Sequence, residues 1–208
     1  MASHCSLRAG GMAQDFFMPE SIQALTQFLQ SNTKPVLLLG LGSNLLVRDS
    51  GFNGVVIKLT QLKSLQTNQT HITAEAGVTL AKLSRFAQQK NLYGAEFLSA
   101  IPGTIGGALA MNAGAFGSEF WQFVKCVNTM DTSGEMFQRQ PTDFDIAYRQ
   151  ATPVYPHEFF ISAELVFNQK PSNQNIQQLL QKRNNTQPIG LPSCGSVFKN
   201  PAKHHAAE

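Results

Sequence analysis

Charge, cysteine and long apolar runs are all scarce in these 208 residues, and each scarcity excludes something. Only 14% of the residues are charged, basic residues exceed acidic ones by three, and the longest basic run is Lys182-Arg183. That leaves no electrostatic footprint for nucleic acid or an anionic membrane, and neither partner is expected. The three cysteines, Cys5, Cys126 and Cys194, are odd in number and lack metal-site spacing. A secreted disulfide framework is therefore not expected, nor is a metal, and a reducing cytoplasm suits them best. The most apolar stretch, Val36 to Val47, is twelve residues long and is broken by Gly40, Gly42, Ser43 and Asn44. It is too short to span a bilayer. The amino terminus, with His4, Cys5 and Arg8 and no apolar centre, does not read as a signal peptide. What the chain does have is 42% hydrophobic residues, with 16 glycines and 10 prolines. That is enough for one large domain or two small ones, burying roughly 70% of the unfolded surface.

Periodicity divides the chain. Ser21 can cap a helix whose apolar positions Ile22, Leu25, Phe28 and Leu29 share one face, ending before Lys34-Pro35. Val36 to Leu39 reads as a buried strand, and Leu45 to Val47 and Val55 to Leu59 as two more. A second unit opens with a hairpin, Leu62 to Gln66 and His71 to Glu75, across Thr67-Asn68-Gln69-Thr70. Thr79 then caps a helix with the stripe Leu80, Leu83, Phe86 and Ala87, stopped by Asn91 and Gly94. Phe123 to Met130 and Met136 to Arg139 suggest another hairpin, and Glu158 to Phe167 a long strand. Ile176, Leu179 and Leu180 mark a last amphipathic helix. No internal repeat is present.

Two glycine-bearing segments are candidates for chemistry. Gly40-Leu41-Gly42-Ser43-Asn44 follows a strand, so its amides, with the Ser43 and Asn44 side chains, can donate to a pyrophosphate. A tight turn with no ligand explains the same residues. The segment is not a dinucleotide fingerprint, because Leu45 stands where a third glycine would be, and no P-loop exists anywhere. From Pro102 to Gly117 the chain carries Gly103, Gly106, Gly107, Gly114 and Gly117 and no charge. It offers a second surface of open amides, with Asn112 as a polar handle, or else a loop that merely packs under a helix.

Taken together, several motifs resemble those of the UDP-N-acetylenolpyruvoylglucosamine reductases. They are Arg8-Ala9-Gly10-Gly11, the Gly-Leu-Gly-Ser-Asn turn, and Gly94 to Ser99 running into Ile101-Pro102-Gly103. Met111-Asn112-Ala113-Gly114-Ala115, Tyr148-Arg149 and Gly195-Ser196-Val197-Phe198-Lys199-Asn200-Pro201 complete the set, in order, over nearly the whole chain. The resemblance implies an α+β, two-lobed FAD-binding fold of the vanillyl-alcohol-oxidase type. The lobes are expected at residues 1–60 and 61–187, with a third, substrate-binding domain beginning at 188–208. It further implies FAD as cofactor, NADPH as co-substrate, a UDP-sugar enolpyruvyl ether as substrate and a monomer in the cytoplasm. By similarity, Gly40, Leu41, Gly42, Ser43, Asn44 and Leu45 would wrap the pyrophosphate. Pro102, Gly103, Gly106, Gly107, Asn112, Ala113 and Gly114 would line the other side.

Hydride addition to an enol ether bearing a carboxylate leaves a carbanion delocalised into that carboxylate. The site must supply positive charge or hydrogen-bond donors there, and a proton for the neighbouring carbon. Arg149 resembles the family's arginine and Ser196 its proton-donating serine; Tyr148, Arg149 and Asn200 match its substrate pocket. Outside that context, an arginine after a tyrosine is more often a surface ion-pair residue. The family's serine two residues past the arginine is Ala151 here, and a supporting hydrogen bond is not expected. Cys194 reads as a small buried residue, and the adjacent His204 and His205 do not read as a metal pair. The family continues for roughly a hundred further residues, one small domain, with a late glutamate that Glu208 cannot replace. Little or no turnover is therefore expected of this chain. The alternatives are a non-catalytic FAD-binding module, or another vanillyl-alcohol-oxidase-type dehydrogenase, which would lack the Gly195 to Pro201 motif.

Overall fold

Two sheets with opposite strand logic organise the chain, seen in a computed structural model that describes residues 1–187 and 190–201. The first is parallel. Strand β1 (Ala13–Phe17), helix α1 (Ile22–Ser31), β2 (Val36–Leu39) and β3 (Phe52–Lys58) form a three-stranded sheet in the order β1-β3-β2. The central strand carries Val55, Val56 and Ile57, all buried, as a strand covered on both faces requires. Ser21 caps α1, its Oγ accepting from the Ala24 amide at 3.1 Å, and Leu25 and Leu29 bury the stripe the periodicity predicts.

The predicted strand at Leu45 to Val47 does not form; the edge position goes instead to β1. The amino-terminal segment runs beside residues 47–49, where Gly11 N–H donates to the Arg48 carbonyl at 3.0 Å. A Cβ on Gly10 would lie 2.6 Å from that of Val47. Residues 45–49 are therefore held by a neighbouring loop rather than by a strand.

The second sheet is antiparallel. Its strands are β4 (Leu65–Asn68), β5 (His71–Glu75), β8 (Val124–Met130), β9 (Met136–Arg139) and β12 (Phe159–Val166), in the order β4-β5-β12-β8-β9. Helix α2 (Leu80–Gln89) follows β5, with Thr79 Oγ1 accepting from the Lys82 amide. The β4-β5 hairpin is tighter than expected, since Asn68 pairs with His71 and only Gln69, at φ 54°, and Thr70 remain in the turn. Between β5 and β8 lie helix α3 (Ile105–Ala110) and a small hairpin of β6 (Gly114–Ala115) and β7 (Ser118–Glu119). A separate hairpin, β10 (Phe144–Ala147) and β11 (Gln150–Pro153), precedes β12, and helix α4 (Ile176–Thr186) follows it.

The core has two parts. The larger, around Phe97, Leu98, Leu109, Phe120 and Leu165, packs α2 and α3 against the antiparallel sheet. The smaller contains Leu25, Leu29, Val55 and Ile57 of the parallel unit together with Met130 and Ile161 of β8 and β12. This shared cluster holds the two sheets against each other, and each fully buried large side chain contributes about 1.5–3 kcal/mol. Helix α4 forms as predicted, capped by Asn175, but none of its residues is buried. It is tethered instead by Arg183, whose Nη1 donates to the Ala100 carbonyl at 2.6 Å. Among the described residues, no helix is long and apolar enough to cross a membrane.

Candidate active site

The two glycine segments meet. Ser43 Oγ donates to the Pro102 carbonyl at 2.6 Å, and a Cβ on Gly40 would sit 2.5 Å from Thr104 Oγ1. Gly42 takes the left-handed region at φ +69°, and a side chain there would strike the His4 carbonyl at 2.1 Å. The Gly42 carbonyl accepts from the Ser6 amide at 2.9 Å, so the amino-terminal segment braces the loop from behind. Among the described residues, the amides of Leu41, Gly42, Ser43 and Asn44 donate to no protein acceptor. Four consecutive donors on a glycine-bearing turn are a cradle for an anionic oxygen group. The residues present thus fit the pyrophosphate of a flavin dinucleotide, with the Ser43 hydroxyl spent on joining the loops rather than on the phosphate.

The opposite segment is not the open surface expected. Residues 105–110 coil into α3, and its first amides are occupied. Ile105 N–H donates to Val78, Gly106 N–H to the Ala76 carbonyl and Gly107 N–H to Thr104 Oγ1. Gly106 lies against Ala76, where an added Cβ would be 3.1 Å away, so its glycine serves close packing of the helix on the turn that follows β5. Pro102 and Gly107 remain exposed and Gly103 is half-buried, open toward Ser43. Asn112 is not a polar handle for a ligand either. It is 2% exposed, and its amide donates inward to Glu119 and the Ala147 carbonyl. Ala113 is half-buried and Gly114 is exposed on β6.

Arg149 stands in the two-residue turn between β10 and β11, at φ 57°. Its guanidinium reaches across 47 positions of sequence to hold the carboxy-terminal motif, Nη2 donating to the Ser196 carbonyl at 2.6 Å. Its Nη1 donates to the Phe198 carbonyl at 3.0 Å. It is not a surface ion-pair residue: among the described residues it forms no salt bridge. A cleft of about 300 Å³ opens beside it, lined by Asn44, Leu46, Met111, Arg149, Cys194, Val197 and Lys199. Among the described residues, two cations and no carboxylate line this cleft, so it favours an anion.

The structure therefore brings Asn44, Arg149 and the Cys194 to Lys199 segment together. Ser196 joins them through its carbonyl, and its side chain is exposed. Tyr148 is 49% exposed beside Arg149, and Asn200 is exposed at the end of the motif. Cys194 is half-buried and lines the cleft, contrary to the expectation of a buried residue. Ala151 pairs with Ile146 and packs on the larger core. His204, His205 and Glu208 lie outside the described residues, as does part of the expected third domain.

Sequence reasoning missed Lys199, Met111, Leu46 and Glu119. Met111 and Lys199 both lie within motifs of the resemblance, and the charge of Lys199 was the available signal. The bracing by His4 and Ser6 had none, because it rests on backbone atoms.

Residues 18–138 match a family described as an FAD binding domain. UDP-N-acetylenolpyruvoylglucosamine reductase from Alkalilimnicola ehrlichii is 46% identical over 216 residues, covering 100% of this chain and 71% of that protein. The enzyme of the same name from Nitrosococcus oceani is 46% identical, covering 97% of this chain and 70% of its own length. Among solved structures, UDP-N-acetylenolpyruvylglucosamine reductase from Thermus caldophilus superposes with a TM-score of 0.82 at 27% identity. That match covers 99% of this chain and 74% of the other.

Proposed function

This chain belongs to the UDP-N-acetylenolpyruvoylglucosamine reductase family, and from that premise we propose how its residues divide the reaction. The family and its FAD binding domain make it a flavin-dependent oxidoreductase of peptidoglycan synthesis, acting on a small UDP-sugar. The finer reading is that NADPH is the electron donor, UDP-N-acetylmuramate the product and the cytoplasm the place. The working form is taken as a monomer, with flavin-holding lobes at 1–60 and 61–187 and a substrate-side unit from 188.

FAD, when bound, supplies the hydride for the enolpyruvyl double bond. Leu41 to Asn44 bind its pyrophosphate through amides that have no acceptor among the described residues, Gly40 and Leu45 flank them, and Pro102, Gly103, Gly106, Gly107, Ala113 and Gly114 form the facing wall. Arg149 orients the substrate carboxylate and stabilises the charge that develops on it. Its guanidinium has five N–H donors. Two are held by the Ser196 and Phe198 carbonyls, which leaves the others for a carboxylate in a fixed fork. Ser196 gives the proton to the carbon next to the one that accepts hydride, so that a hydride and a proton complete the saturation. Tyr148, Asn200 and Lys199 bind the rest of the anionic substrate. The observation that carries this reading is Arg149, without an acidic partner among the described residues, tied to the Ser196 segment beside the cleft that Asn44 lines.

An anaerobic titration tests it. NADPH should bleach the visible flavin band of the FAD-loaded chain, NADH should do so poorly, and the enolpyruvyl substrate should then perturb or restore the band. A flavin that responds to the substrate neither in spectrum nor in oxidation state overturns the reading.

A further inference from the structure

We propose that Asn112 and Glu119 are positioning residues for Arg149, forming a relay through the buried Asn112 amide that fixes the turn on which the guanidinium stands. The inference rests on the role given to Arg149 above. Asn112 follows α3 in the left-handed region at φ 39° and is almost wholly buried. Its Nδ2 uses both N–H bonds, one to Glu119 Oε2 at 2.9 Å and one to the Ala147 carbonyl at 3.2 Å. Its Oδ1 accepts from the Trp121 amide at 3.3 Å. Turning the amide over would set Oδ1 against a carboxylate and a carbonyl, with no donor among them, so its orientation is determined.

The two ends of this relay are themselves fixed. Glu119 sits on β7, and a Cβ on Gly114 opposite would come within 3.2 Å of its Cγ and 3.0 Å of the Ser118 carbonyl, so the side chain lies close against the β6 backbone. Trp121 donates its indole N–H to the Leu109 carbonyl at 2.8 Å, tying the same corner to α3. At the other end, Ala147 pairs with Gln150 and closes the turn Tyr148-Arg149. Asn112 therefore grips the carbonyl two residues before the arginine, whose own bonds reach Ser196 and Phe198. Neither Asn112 nor Glu119 lines the cleft, so both act through Arg149 and not on the ligand.

Glu119→Ala, Glu119→Asp and Glu119→Gln in the FAD-loaded chain test the relay. Gln keeps an acceptor for Asn112 at the same reach, whereas Asp withdraws it by one methylene. Amide exchange at residues 147–151 should rise about tenfold in the Ala and Asp variants while α2 is unchanged, and stay near wild type in the Gln variant. In a double-mutant cycle read from the flavin response to the enolpyruvyl substrate, Glu119→Ala should weaken binding about tenfold with Arg149 present and not at all with Arg149→Ala. Unchanged exchange, or an equal loss in both backgrounds, overturns the relay. A wild-type flavin that ignores the substrate overturns the functional reading instead, and the exchange measurement then decides the relay by itself.

Discussion

Arg149 combines two features that rarely serve a surface residue: a left-handed backbone and a guanidinium held by carbonyls instead of carboxylates. An arginine neutralised by an acid has little left for a substrate, whereas one held by neutral oxygens keeps its full charge. In a chain carrying the full length of the family, Arg149→Ala should leave FAD binding and flavin reduction intact and slow substrate reduction about a hundredfold, measured by anaerobic single-turnover kinetics. Ser196→Ala should slow the same step about a hundredfold, since a positioned proton donor is lost. A second charged residue acts on stability alone. The hydrogen bond from Arg139 holds the Glu158 carboxyl below its ordinary value near 4.5, reinforced by the Thr129 hydroxyl and opposed by burial. A carboxylate whose folded pKa is depressed stabilises the protein fully above its unfolded value and loses that contribution as pH falls through the folded one. Melting temperature should therefore drop as pH falls below 4.5, and Glu158→Gln should flatten that acid slope while lowering the neutral melting point.

At the scale of elements, what could be read in advance depended on whether a segment carried its own instructions. Helices α1 and α2 were legible because Ser21 and Thr79 cap them and their apolar residues repeat with the helical period. Strands β8 and β12 were legible to within a residue because they are apolar and bounded by turn residues. Strand β1 was not: its Ala-Gln-Asp-Phe-Phe is a mostly exposed edge, and only pairing with β3 makes it a strand. Helix α3 was hidden by its glycines, which disfavour a helix locally but allow Gly106 to approach Ala76. The β10-β11 hairpin lacks the usual glycine turn, and its tip is set by tertiary contacts to Asn112 and the 196–198 segment. Leu109, wholly buried on α3, should cost about 3 kcal/mol when cut to Ala, and Ser21→Ala about 1 kcal/mol, both measured by denaturant unfolding.

For the whole molecule, function follows from how three distant parts of the chain close on one another. Residues 40–44, 102–104 and 194–199 are distant in sequence, and the joints that close them among the described residues include the Ser43 to Pro102 bond, the Ser193 to Ser6 bond, the Arg149 bonds and the shared cluster around Met130 and Ile161. That closure was legible only as a resemblance among motifs, because no local pattern states that Arg149 lies beside Ser196. The loop at 40–44 is the part whose chemistry is most exposed to test. Among the described residues the amides of Leu41 to Asn44 face no protein acceptor, and Gly42 cannot carry a side chain without meeting the His4 carbonyl. The most direct measurement is an equilibrium titration of the purified chain with FAD, alongside Gly42→Ala and the milder Gly40→Ala. The wild type should become yellow, with the resolved visible spectrum of a bound flavin, and Gly42→Ala should bind at least about tenfold more weakly, for a backbone strain of about 1–3 kcal/mol. A wild-type chain that stays colourless with excess FAD, or glycine variants that bind as tightly as the wild type, would contradict the account.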